Sequence, residues 1–95
     1  MVKTVENLKA AQLELTTRLV EIYGPSEGVK NCSVLVPAIL KDFSGMLEKA
    51  DVGDCVTETY RTEDGIAEII LRAVKKTGTP ELSMDVHRRS LVISI

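Results

Sequence analysis

Apolar residues near the start of the chain recur at alternating steps of three and four. They are Val5, Leu8, Leu15, Leu19 and Ile22, with Gln12 filling the slot between Leu8 and Leu15. That spacing lays a narrow stripe along one side of a helix. It predicts a helix over 4–23, with Thr4 as N-cap and Gly24-Pro25 as the stop. Leu13, Val20 and Tyr23 widen the stripe in places, and Glu14 can pair with Arg18 on the wet side. The stripe can pack on the rest of the chain or serve as a seam to a second copy. Pro25 to Lys30 is polar and contains Gly28, the composition of a linker.

Cys32 to Val36 is short and β-branched, which predicts a strand. A proline disfavours the helical region for the residue before it, so Val36 is expected to be extended. Pro37 suits the first position of a helix, where its missing N–H would have no partner in any case. From there Ile39, Leu40, Phe43, Met46, Leu47 and Ala50 follow a helical period, and Asp51-Val52-Gly53-Asp54 turns the chain. Cys55 to Thr59 alternates as a strand does, with Val56 and Tyr60 on one face. Arg61 to Asp64 reads as a polar loop. Ile66, Ile69, Ile70, Ala73 and Val74 predict a second amphipathic helix, with Lys75 and Lys76 in its last turn and Gly78 as its C-cap. Glu81 to His87 and Leu91 to Ile95 alternate about the polar turn Arg88-Arg89-Ser90, the pattern of a hairpin.

These elements predict an α+β fold, a two-layer α/β sandwich with a β-α-β-α-β-β core and an extra N-terminal helix. Residues 1–30 are helix and linker; residues 31–95 are the core domain. The first strand–helix–strand unit favours parallel pairing. The uncovered sheet face is expected to take the N-terminal helix or another copy of the chain.

Ninety-five residues allow one modest core, and 44% hydrophobic content is enough to fold it. Aromatics are only 3% and there is no Trp, so the core is aliphatic and base-stacking platforms are absent. The net charge of −2 argues against nucleic acid. A weak RNA-binding alternative rests on Arg72, Lys75, Lys76, His87, Arg88 and Arg89, interspersed with Glu63, Asp64, Glu68, Glu81 and Asp85. The start of the chain lacks the pattern of a signal peptide, and no apolar run spans a membrane, so a cytoplasmic setting is expected. One His and two separated Cys give no metal-ligand spacing. No Gly-rich phosphate loop or carboxylate cluster implies a cofactor.

Roughly the last two-thirds of the chain resembles a known family, most clearly from Gly53-Asp54 onward. Gly53-Asp54, the strand Cys55 to Tyr60, the acidic Glu63-Asp64, Ile66 to Val74, Lys75-Lys76-Thr77-Gly78 and the two final strand segments occur in the order found in the TusA/SirA-like sulfur-carrier proteins. The resemblance implies a sulfur-relay protein, a carrier or binding protein rather than a turnover enzyme, with a relay protein as partner. The family signature is Cys-Pro-x-Pro at the start of the first core helix. Pro37 falls at its first proline, Val36 at its cysteine and Ile39 at its second proline. The helix N-terminus junction is thus Val36, Pro37 and Ala38, without a thiol.

Cys32 is the persulfide candidate, displaced roughly 13 Å from the junction if the strand is extended. Lys30 and Lys41 could draw an anion to that junction. Cys55 reads as a core or edge residue. The alternative is a family relative that has lost the carrier cysteine. It would work by binding a protein, or would be a homo-oligomer joined through the seam of Val5, Leu8, Gln12, Leu15, Leu19 and Ile22.

Overall fold

The computed structural model describes residues 2–5, 7–78 and 80–89. In chain order the elements are β1 (Val2–Val5), α1 (Leu8–Tyr23), α2 (Pro25–Lys49), β2 (Cys55–Arg61), β3 (Ala67–Val74) and β4 (Glu81–Arg88). Strands β2, β3 and β4 form an antiparallel meander. β1 joins it along β4, also antiparallel, and the sheet order is β1-β4-β3-β2.

Asn7 opens α1, its side chain accepting a hydrogen bond from the Ala10 N–H at 2.8 Å. Gly24, at φ 87°, ends it. That single residue is also the N-cap of α2, so the helices fold back on each other as an antiparallel pair. Gly28 makes this return close. A Cβ at that position would sit 2.6 Å from the Cα of Val20. The buried side of α2 runs Gly28, Cys32, Val36, Ile39, Phe43 and Leu47, and that of α1 runs Ala11, Leu15 and Leu19. Both press on one sheet face, built from Ala67, Ile69, Leu71 and Ala73 of β3 and Leu82, Met84 and Val86 of β4. Each large aliphatic side chain closed into this layer contributes about 1.5–3 kcal/mol. The opposite sheet face has no helix over it among the described residues.

The coarse expectation of a two-layer α+β domain stands, but the order of elements is β-α-α-β-β-β, with two helices in place of the three expected. The N-terminal helix begins at Leu8, because Val2–Val5, in which Val2, Thr4 and Val5 are β-branched, pairs with β4 instead. The segment 25–30 is the opening of α2, so a boundary at Lys30 falls inside a helix whose core α1 shares. Residues 32–36 are helical, not extended. The four-residue steps from Gly28 through Cys32 to Val36 continue the stripe of Ile39, Phe43 and Leu47 across Pro37.

Residues 67–74 form β3 where a helix was expected over 66–74. Ala67, Ile69, Leu71 and Ala73 alternate in burial while β2 and β4 bond to both edges. The pairing is antiparallel throughout, not parallel. Gly78, at φ 109°, sits in the β3–β4 connection and caps no helix. The expected strand at 91–95 lies outside the described residues.

Candidate functional site

Cys32 is only 6% exposed and lies between the two helices, its thiol 3.8 Å from the Thr16 carbonyl. Burial pushes its pKa up, and the Thr16 side chain offsets this only in part. A nucleophilic thiol needs the opposite: exposure and a depressed pKa. Val36, Pro37 and Ala38 occupy the middle of α2, so no helix N-terminus or free N–H cluster exists there. Lys30 and Lys41 are exposed along the same helix and face no such junction.

The proposed seam does not lie free on the surface. Leu15 and Leu19 are fully buried in the chain's own core, Leu8 and Ile22 pack against it, and Gln12 is exposed. Val5 belongs to β1.

The helix-free sheet face carries the chemistry that the linear reading passed over. Across its strands lie the rows Arg61–Glu68–His87, Thr59–Ile70–Asp85, Thr57–Arg72–Ser83 and Cys55–Val74–Glu81. The first row is a hydrogen-bonded ladder. Arg61 Nε donates to Glu68 at 2.9 Å, and His87 Nε2 is 3.1 Å from the other Glu68 oxygen. The bond from Arg61 holds the Glu68 carboxyl below its usual range.

In the last two rows Arg72 Nε donates to Cys55 Sγ at 3.1 Å. Cys55 is exposed, and that bond holds its pKa below the ordinary thiol value. Seventeen residues separate the two in sequence; only the β2–β3 register brings them together. Reading 67–74 as a strand would have revealed the pair, since Cys55 and Arg72 then become diagonal neighbours.

The basic residues are spent singly. Lys75 Nζ donates to the Glu48 carbonyl at the C-terminal end of α2 at 3.0 Å, and Lys76 pairs with Glu81 at 2.9 Å. The Arg89 guanidinium reaches the Gly65 carbonyl at 3.5 Å, and its backbone N–H donates to the Ile66 carbonyl at 2.7 Å. Arg88 is exposed.

A second cluster fastens the helical pair to the β2–β3 turn. Asp64 Oδ1 gathers the Thr62 hydroxyl at 2.6 Å, the Tyr23 hydroxyl at 2.8 Å and the Ile66 N–H at 3.0 Å. These bonds, Thr62's first, hold Asp64 below the usual carboxylate range, while burial raises Tyr23. Beside it, Asn31, Val34, Leu35 and Ala38 of α2 and the turn 62–64 enclose a groove of about 260 Å³.

Among the described residues, no three His, Cys, Asp or Glu gather to hold a metal, and no helix is long and apolar enough to cross a membrane. No family model, curated protein or solved structure matches the chain.

Proposed function

We propose that this chain is an interaction module that binds another protein chain through its sheet. The observation that carries the reading is the one-sided cover of that sheet. Both helices pack on one face, and the other face and the β2 edge stand outside the core. The buried, high-pKa thiol of Cys32 counts against the rival, sulfur transfer at that cysteine. Treating the native protein with a sulfane-sulfur donor and then an alkylating agent, followed by peptide mass mapping, tests it. Cys32 should stay unmodified until denaturant is added. Persulfide found on native Cys32 and passed to an acceptor thiol defeats the proposal.

A sulfur-relay role, as the family resemblance implied, keeps one supporting observation at the other thiol. Cys55 is exposed, and the Arg72 guanidinium favours its thiolate. In this second reading the Cys55 thiolate attacks the outer sulfur of a donor persulfide, forms Cys55–S–SH and releases the donor thiolate. Alkylation rate against pH tests it. The Cys55 profile should lie below that of a free thiol and move up in Arg72→Gln. A profile that the substitution leaves in place removes the reading.

A further inference from the structure

Strand β2 closes one side of the sheet, and its hydrogen-bond phase fixes what its outer edge presents. At one end the Lys75 N–H donates to the Asp54 carbonyl at 2.9 Å; at the other the Thr62 N–H donates to the Ala67 carbonyl at 3.1 Å. The register runs unbroken between these bonds, from Cys55 against Val74 to Arg61 against Glu68. Val56, Glu58 and Tyr60 therefore bond to β3, and the N–H and C=O groups of Cys55, Thr57, Thr59 and Arg61 point outward. This edge is roughly 23 Å long at 3.3 Å per residue. It holds no proline, lysine or bulge, three of the devices that block edge pairing, and its charged residues are Glu58 and Arg61.

Over this edge runs a flank of α2. The Tyr60 hydroxyl donates to Asp42 at 2.7 Å, which ties that flank to β2. Ala38, Asp42, Gly45 and Lys49 recur along it at helical spacing. A Cβ at Gly45 would meet nothing within 4 Å, so the space beside the helix is open there.

We propose that the outer edge of β2 seats a second copy of this chain, strand against strand and antiparallel. The two-fold axis is normal to the sheet, and two four-stranded sheets become one of eight. The inference rests on the interaction-module reading and names its partner.

Self-complementarity points to a second copy rather than an unrelated chain. An axis at Thr57 or Thr59 sets threonine against threonine, a favourable cross-strand pair, and places Glu58 opposite Val56 or Tyr60 of the other copy. An axis at Glu58 would oppose two carboxylates and is disfavoured. The same two-fold brings α2 beside α2. Asp42 and Lys49 lie on either side of Gly45, as do Lys41 and Glu48. A crossing at Gly45 therefore matches each acid with a lysine of the other copy.

Sedimentation of the full chain from low micromolar to submillimolar concentration tests the proposal. The wild type should reach a dimer. Thr57→Pro removes an outward N–H and no bond to β3; Gly45→Arg fills the open space beside α2. Each should raise the dimer Kd at least tenfold with unchanged far-UV circular dichroism. Ile70→Lys, on the helix-free face, should still dimerise. If Thr57→Pro loses its fold, Gly45→Arg decides alone.

A wild type that stays monomeric throughout overturns the inference, as does a dimer that survives Gly45→Arg. Loss of the dimer in Ile70→Lys alone also overturns it, because the copies would then meet face to face. None of these results touches the interaction-module reading, which fails separately, on persulfide transfer from Cys32.

Discussion

Two glycines in α2 have the same helical environment along the chain and opposite surroundings in space. At Gly28 a methyl group would strike the Val20 backbone at 2.6 Å; at Gly45 it would meet nothing within 4 Å. Replacing glycine by alanine in a helix gains up to about 1 kcal/mol from propensity, and forcing a methyl group into a packed contact costs about 1–3 kcal/mol. Gly28→Ala should therefore lower stability by about 1–2 kcal/mol and Gly45→Ala should raise it by up to about 1 kcal/mol. Urea denaturation of dilute protein checks both, as opposite shifts of the midpoint. Equal shifts would mean that the helices do not approach closely at Gly28. The residue scale also separates the two thiols. Position along the chain favoured Cys32 as the reactive thiol, yet Cys32 lies between two helices and Cys55 under a guanidinium.

The least legible element was α2. Pro37 is a strong local signal for a helix start, and Val34 to Val36 is a strong local signal for a strand. Both yield to the stripe from Gly28 to Leu47, which buries six positions on one side of a 25-residue helix. Pro37 is exposed, as is Ser33, whose carbonyl loses the Pro37 N–H partner, so water can take that bond. An interior proline still costs a helix about 3 kcal/mol. Pro37→Ala should consequently stabilise the protein by about 1–3 kcal/mol, seen as a higher melting temperature with more helical signal. A lower melting temperature would show that the proline marks a real break between two segments. β3 was ambiguous for a different reason: Ile66 to Val74 satisfies a period of 3.6 and a period of 2 equally. By contrast β2 and β4 were legible, since alternation between flanking turns admits only one reading.

Acid and alkali should each loosen the whole molecule, by different groups. Asp64, Glu68 and Glu81 have folded pKa values held down, by Thr62, Arg61 and Lys76 in that order. Their stabilisation is complete above the unfolded carboxylate pKa of about 4 and is lost as pH falls through the lower folded values. Tyr23, Tyr60 and Cys32 are raised, chiefly by burial. Their contribution is complete below the unfolded values, about 8.5 for the thiol and about 10 for the phenols, and is lost as pH rises beyond them. Chemical denaturation between these limits should show a plateau that falls on both sides. Protonation of Asp64 should free the β2–β3 turn, where its carboxylate holds Tyr23 and Thr62. A midpoint that does not change below pH 4 would mean that the three carboxylates are unpaired in solution.

The sequence alone determined that this is a small α+β chain with an aliphatic core, two charged and alternating strands in its second half, and a helix ending at Gly24-Pro25. Those features follow from local periodicity and turn chemistry, which depend on residues a few positions apart. The tertiary structure decided that 25–49 is one helix, that 67–74 is a strand, that Cys32 is enclosed and that Cys55 meets Arg72. In each case a local preference competed with burial of a longer stripe, or with hydrogen bonds to a distant strand. The long-range interaction involves more residues, and it prevailed.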